Sequence, residues 1–107
     1  MKVIEIQPGR APRLTEIQNT SECLQKLVDG PTGKAVLGDT GLVVVLNRDG
    51  RERGMEPTGC LRIWPIKDDI LYGPLLIVRA AMDTFTSVRE GDMELVKRIY
   101  REVRCHD

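Results

Sequence analysis

Histidine occurs once in this chain of 107 residues, at position 106. Histidine-based nucleophilic or acid–base catalysis therefore has a single imidazole to work with. Cysteine is sparse and odd in number, at Cys23, Cys60 and Cys105, with no paired spacing. That excludes a disulfide framework and predicts reduced thiols. Cys105-His106-Asp107 are three adjacent residues that cannot all face one ion, so no metal site is expected. Neither sign of charge is in excess, since 16 basic residues balance 16 acidic ones. A general nucleic-acid binder normally carries a basic surplus, so nucleic acid is an unfavoured partner. Long apolar runs are missing, and Met1-Lys2-Val3-Ile4-Glu5 has no signal-peptide core. A cytoplasmic protein without membrane contact is expected.

What is present suits one soluble globular domain over residues 1–107, with 104–107 as a frayed tail: 41% apolar and 30% charged residues. The strongest local signal is Leu42-Val43-Val44-Val45-Leu46. Five apolar residues rich in β-branched side chains are too few for a typical helix and right for a buried strand. Asn47-Arg48-Asp49-Gly50 ends it with turn chemistry. Leu75–Val78 is a second strong strand, expected beside the first. Val3–Ile6 and Leu14–Ile17 flank a Pro-Gly turn and read as an opening hairpin. Lys34–Leu37 pairs with Leu42–Leu46 through Gly38–Gly41. Arg51–Met55 is expected to pair back as a charged edge strand, and Phe85 to begin a short return.

Two helices are predicted. One is capped by Asn19 with Glu22 three residues on, and ends near Asp29 before Gly30-Pro31. The other is capped by Ser87, with Gly91 moving its regular start towards Asp92; Val96, Ile99, Tyr100 and Val103 form its apolar face. Pro57–Ile66 is expected to be irregular, and Asp68–Pro74 to be one helical turn or a tight loop. The fold class is α+β: a mostly antiparallel sheet of five or six strands with two helices.

Motifs with chemistry are few. Asp39-Thr40-Gly41 is the tripeptide of aspartic peptidases, whose mechanism shares a proton between two carboxylates. Gly38–Gly41 is equally sufficient as a β-turn. Gly30-Pro31-Thr32-Gly33-Lys34 lacks the spacer and the hydroxyl residue of a phosphate-binding loop, and no cofactor is expected. Arg48, Arg51 and Arg53 could hold a phosphate or an acidic protein surface, or form a solvated edge. Trp64 and Tyr72, two of only four aromatics, are either core plugs or contact anchors. The candidate binding residues are therefore Arg48, Arg51, Arg53, Trp64 and Tyr72.

The ordered set Lys2–Gly9, Ile17–Thr20 leading into Leu24–Val28, Leu46–Gly50, Asp69–Val78 and Phe85–Val88 resembles a small family of phage and mobile-element proteins, catalogued as a domain of unknown function (family 3846). The resemblance covers nearly the whole chain. It departs at Asp29, where the family has paired glycines, and over Pro57–Ile66. It supplies no catalytic residues, and implies a small accessory protein acting in a host cytoplasm. Three expectations follow. The first is a non-enzymatic protein that binds a protein partner to inhibit a host defence system. The second is a binder that sequesters a small nucleotide signal through arginines and aromatics. The third is an aspartic-type peptidase built on Asp39. Self-association into a homo-oligomer is compatible with all three.

Overall fold

A computed structural model of the chain describes residues 1–103. The expected tail and the Cys105-His106-Asp107 group lie outside the described residues. The strands are β1 (Lys2–Ile6), β2 (Arg13–Glu16), β3 (Thr32–Val36), β4 (Leu42–Asn47), β5 (Pro57–Leu61), β6 (Leu71–Tyr72), β7 (Leu75–Ala81), β8 (Thr84–Thr86) and β9 (Tyr100–Glu102). The helices are α1 (Ser21–Val28) and α2 (Asp92–Ile99). The larger sheet has the order β2-β1-β7-β4-β3, with β8 also on β7. The smaller has the order β6-β5-β9, and every pairing is antiparallel. The fold is α+β, as expected.

Three layers result. Alternate side chains of a strand point to opposite faces, and the central strands of the large sheet are apolar on both. Ile4, Ile6, Leu42, Val44, Leu75 and Ile77 pack against Leu61, Leu71, Val96 and Ile99 of the small sheet and α2. Val3, Val43, Val45, Leu76 and Val78 pack against Leu24 and Val28 of α1. The two strong strands are neighbours, with Val44 directly opposite Ile77.

Several local expectations are corrected. Arg51–Met55 is not a strand. The Asn47 side chain accepts the Asp49 N–H at 2.8 Å, and the backbone then coils, with Arg53 N–H on Asp49 O and Met55 N–H on Gly50 O. Pro57–Leu61 is a strand of the small sheet rather than irregular chain, and Leu71–Tyr72 pairs with it. The cap of α1 is Thr20, whose hydroxyl accepts the Cys23 N–H; Asn19 instead donates to Phe85 O. The cap of α2 is Gly91, while the Ser87 hydroxyl accepts the Lys2 N–H across the sheet. Tyr100 lies on β9 and Val103 follows that strand, so neither continues the helix face.

Candidate functional site

The five residues singled out by sequence separate to the two ends of β4. A six-residue strand is about 17 Å long, so one site does not hold them all. At the Asn47 end, Arg48, Arg51 and Tyr72 border a hollow of about 140 Å³ with Ile70. Arg48 is 3.6 Å from the Asp49 carboxylate, and both side chains are about half exposed or more, so that pair contributes little. Arg53 faces away from the hollow. Its guanidinium donates to the carbonyl oxygen of Asp29 and approaches the Asp29 carboxylate at 3.4 Å. The buried Asn47 amide donates to Val28 O and Asp29 O at 3.0 Å each. Arg53 therefore helps hold the end of α1, where carbonyls lack helical partners.

Trp64 lies at the opposite end. Its side chain is 71% exposed, which makes it a contact anchor in form rather than a core plug. The turn that carries it packs on the β3–β4 hairpin turn: a Cβ on Gly38 would stand 3.1 Å from Ile63 Cδ1 and 3.6 Å from Trp64 O. Gly38 also has φ +59°, so both the backbone and the close approach require glycine there.

Two further apolar residues stand at this end. Val36, the last residue of β3, is 53% exposed, and Met82 is fully exposed. Met82 and Asp83 form the two-residue turn between β7 and β8, with Ala81 opposite Thr84. Met82 has φ +45° at the first turn position, one that glycine usually fills. A donor–acceptor contact of 2.9 Å from Ala80 N–H to Gly41 O ties β7 to the hairpin turn just before it. A groove of about 560 Å³ runs between these residues on the α1 side, lined by Leu24, Val36, Val43, Ala80, Met82 and Phe85 among others. Sequence reasoning passed over Val36 and Met82. The available signal was a methionine in a two-residue hairpin turn, where Asn or Gly is the rule.

Asp39-Thr40-Gly41 forms the hairpin turn. The Thr40 hydroxyl donates to Leu37 O at 2.6 Å and accepts the Leu42 N–H at 3.0 Å, and Asp39 is exposed. Behind the turn, Arg79 reaches Asp92 through two bonds of 2.9 and 2.8 Å, and Thr40 O through a third of 3.2 Å. Asp92 also accepts the Arg89 N–H. Burial works against the ionised Asp92, but the bonds from Arg79 and Arg89 and the Arg79 charge outweigh it and hold the carboxyl below its ordinary range. The same hydrogen bond raises Arg79. Tyr100 is pushed up to about 12, chiefly by burial and then by Glu102 and Cys60, while its hydroxyl donates to Thr58 O. These groups serve packing between layers. Among the described residues, no three His, Cys, Asp or Glu side chains gather as a metal site requires. No helix is long and apolar enough to cross a membrane.

The family model described as "Domain of unknown function (DUF3846)" matches residues 1–101. No curated protein and no solved structure matches the chain.

Proposed function

This chain belongs to the DUF3846 family, and on that premise we propose a non-enzymatic accessory protein of phage or mobile elements. It acts in a host cytoplasm by binding a protein partner, and the outcome is inhibition of a host defence system. The observation that carries the binding reading is the grouping of exposed apolar side chains. Val36, Trp64 and Met82 all stand around the Leu37–Gly41 turn, at one end of the large sheet. Exposed apolar residues scattered singly need no explanation, whereas a grouped set beside a groove marks an interaction surface. Tryptophan and methionine are enriched at such surfaces. Met82 adds a second argument. A bulky residue with positive φ is strained by about 1–2 kcal/mol, and at full exposure no packing offsets it. Strain of that kind is retained where function requires the side chain.

The nucleotide reading draws on Arg48, Arg51 and Tyr72. Their hollow of about 140 Å³ is small beside the roughly 300–1,000 Å³ of usual ligand pockets, so the protein-binding reading is preferred. Asp39, exposed on a turn whose Thr40 hydroxyl is engaged within the loop, offers the peptidase reading no support.

The test is capture of the tagged chain from host cells, with quantitative mass spectrometry of what accompanies it. The parent is expected to retain one protein in near-stoichiometric amount, and Trp64→Ala and Met82→Gly to lose it while folding normally. Met82→Gly is expected to be slightly more stable than the parent. Asp39→Ala is expected to behave as the parent. No enrichment over a tag-only control, or equal retention by Trp64→Ala and Met82→Gly, would contradict the reading.

A further inference from the structure

The outer side of β3 has a hydrogen-bonding pattern that specifies its occupant. β3 pairs with β4 from Thr32↔Asn47 to Val36↔Val43. The bonds Leu37 N–H to Leu42 O and Arg48 N–H to Pro31 O bracket that ladder. In an antiparallel pair, residues alternate between exchanging backbone bonds with the neighbour and pointing them away. Pro31, Gly33, Ala35 and Leu37 therefore face β4, and Thr32, Lys34 and Val36 turn their N–H and C=O groups outward. Among the described residues β3 has no strand on that side. The side chains of the same three residues share the α1 face and are exposed. Val36 walls the apolar groove, and the Lys34 ammonium stands 5.8 Å from the Phe85 ring centre within it.

The other edges are less suited to pairing. β6 has two residues and β9 three. β2 has four, and its Arg13 is held by the buried Glu5 at 2.8 Å.

We propose that the protein partner docks by adding an extended strand to the outer edge of β3, with a carboxylate side chain opposite Lys34 and an apolar one opposite Val36. The proposal rests on the protein-binding reading and names its mode. Strand addition draws affinity from main-chain bonds and specificity from alternate side chains. Charge selects the partner. A second copy of this chain, paired antiparallel so that all three outward residues are used, would set Lys34 against Lys34. Like charges directly opposite are destabilising and opposite charges favourable, and edge lysines discourage self-pairing. The occupant is therefore a different chain with an acidic, β-branched strand.

The probe is a displayed library of random octapeptides panned against the purified chain. Enriched peptides are expected to carry Asp or Glu two positions from Val, Ile or Thr. Lys34→Pro tests the backbone: its N–H points outward, so the β3–β4 ladder stays intact, as proline on an edge strand allows. It is expected to fold as the parent and to bind the selected peptides at least about tenfold more weakly, from the lost bond and charge. Lys34→Glu tests the charge, and is expected to reject acidic peptides and to select Lys- or Arg-bearing ones. The proposal is overturned if no peptide is enriched, if the selected peptides bind folded Lys34→Pro as they bind the parent, or if Lys34→Glu keeps the acidic preference. It is also overturned if sedimentation shows a dimer that Lys34→Pro dissolves, for then the occupant is a second copy. A cellular partner lost with Trp64→Ala but retained by Lys34→Pro would leave protein binding standing and remove strand addition.

Discussion

Arg79 and Asp92 join three parts of the chain that sequence distance keeps apart: β7, the first turn of α2 and, through Thr40 O, the β3–β4 turn. Their side chains are 17% and 7% exposed. Asp92→Asn keeps the shape but leaves Arg79 without its counter-ion, and removing one partner of a buried pair costs about 3–5 kcal/mol. A loss towards the lower figure is expected in urea unfolding. The pH dependence follows from the lowered carboxyl. Above the ordinary Asp value of about 3.9 the pair contributes its full stability. That contribution falls as pH drops through the folded-state value, because the unfolded chain binds the proton first. The parent is expected to lose stability over that acid range more steeply than Asp92→Asn, which parallel unfolding curves between pH 2 and 5 would check. If both curves have the same slope, Asp92 is not ionised as described. In the sequence, Asp92 reads only as an acidic residue near a helix start. Its partner lies 13 positions away on another element, and no local pattern announces such a pairing. Asn47 is similar: its turn role was legible, its amide bonds to the end of α1 were not.

At the scale of elements, the strands of the large sheet were legible because each combines apolar runs with turn residues at its ends. Leu42–Leu46 and Leu75–Val78 were expected to be adjacent, and Val44 is opposite Ile77 with both fully buried. Ile77→Ala is expected to cost about 3 kcal/mol, within the usual range for a buried aliphatic, as a shift of the denaturant midpoint; little shift would remove Ile77 from the core. The small sheet was not legible. Pro57 and Gly59 look like breakers, yet Pro57 is the first residue of β5, where no ladder donor is needed. Gly59 admits the close backbone of β9, since a Cβ there would collide with Arg101 O and stand 2.8 Å from Tyr100 Cε1. Gly59→Ala is accordingly expected to lose about 1–3 kcal/mol by overpacking and to speed exchange of the β9 amides. A neutral Gly59→Ala would contradict the β5–β9 pairing. The Arg51–Met55 strand failed for a related reason: charged alternation imitates an edge strand, and the Asn47 side chain diverts the backbone into a coil before pairing can start.

At the scale of the molecule, three layers use up the apolar faces of α2 and the small sheet, while the eight-residue α1 covers only part of the opposite face of the large sheet. The uncovered part is the groove beside β3, and the exposed Val36 and Met82 stand at its margin. Formal neutrality leaves no long-range field to recruit a partner, so recognition has to come from short-range contacts of this kind. Of the candidate site, Trp64 was legible from its residue type in a loop, and the arginines from theirs; that they sit at opposite ends of β4 depends on the packing of the small sheet against the large one. The most direct measurement is amide hydrogen exchange of the chain alone and with its captured partner. Slower exchange is predicted at Thr32, Lys34 and Val36 and in the turn carrying Trp64, with the α2 amides unchanged. Protection confined to Arg48–Gly54, or absent from both predicted segments, would contradict the account.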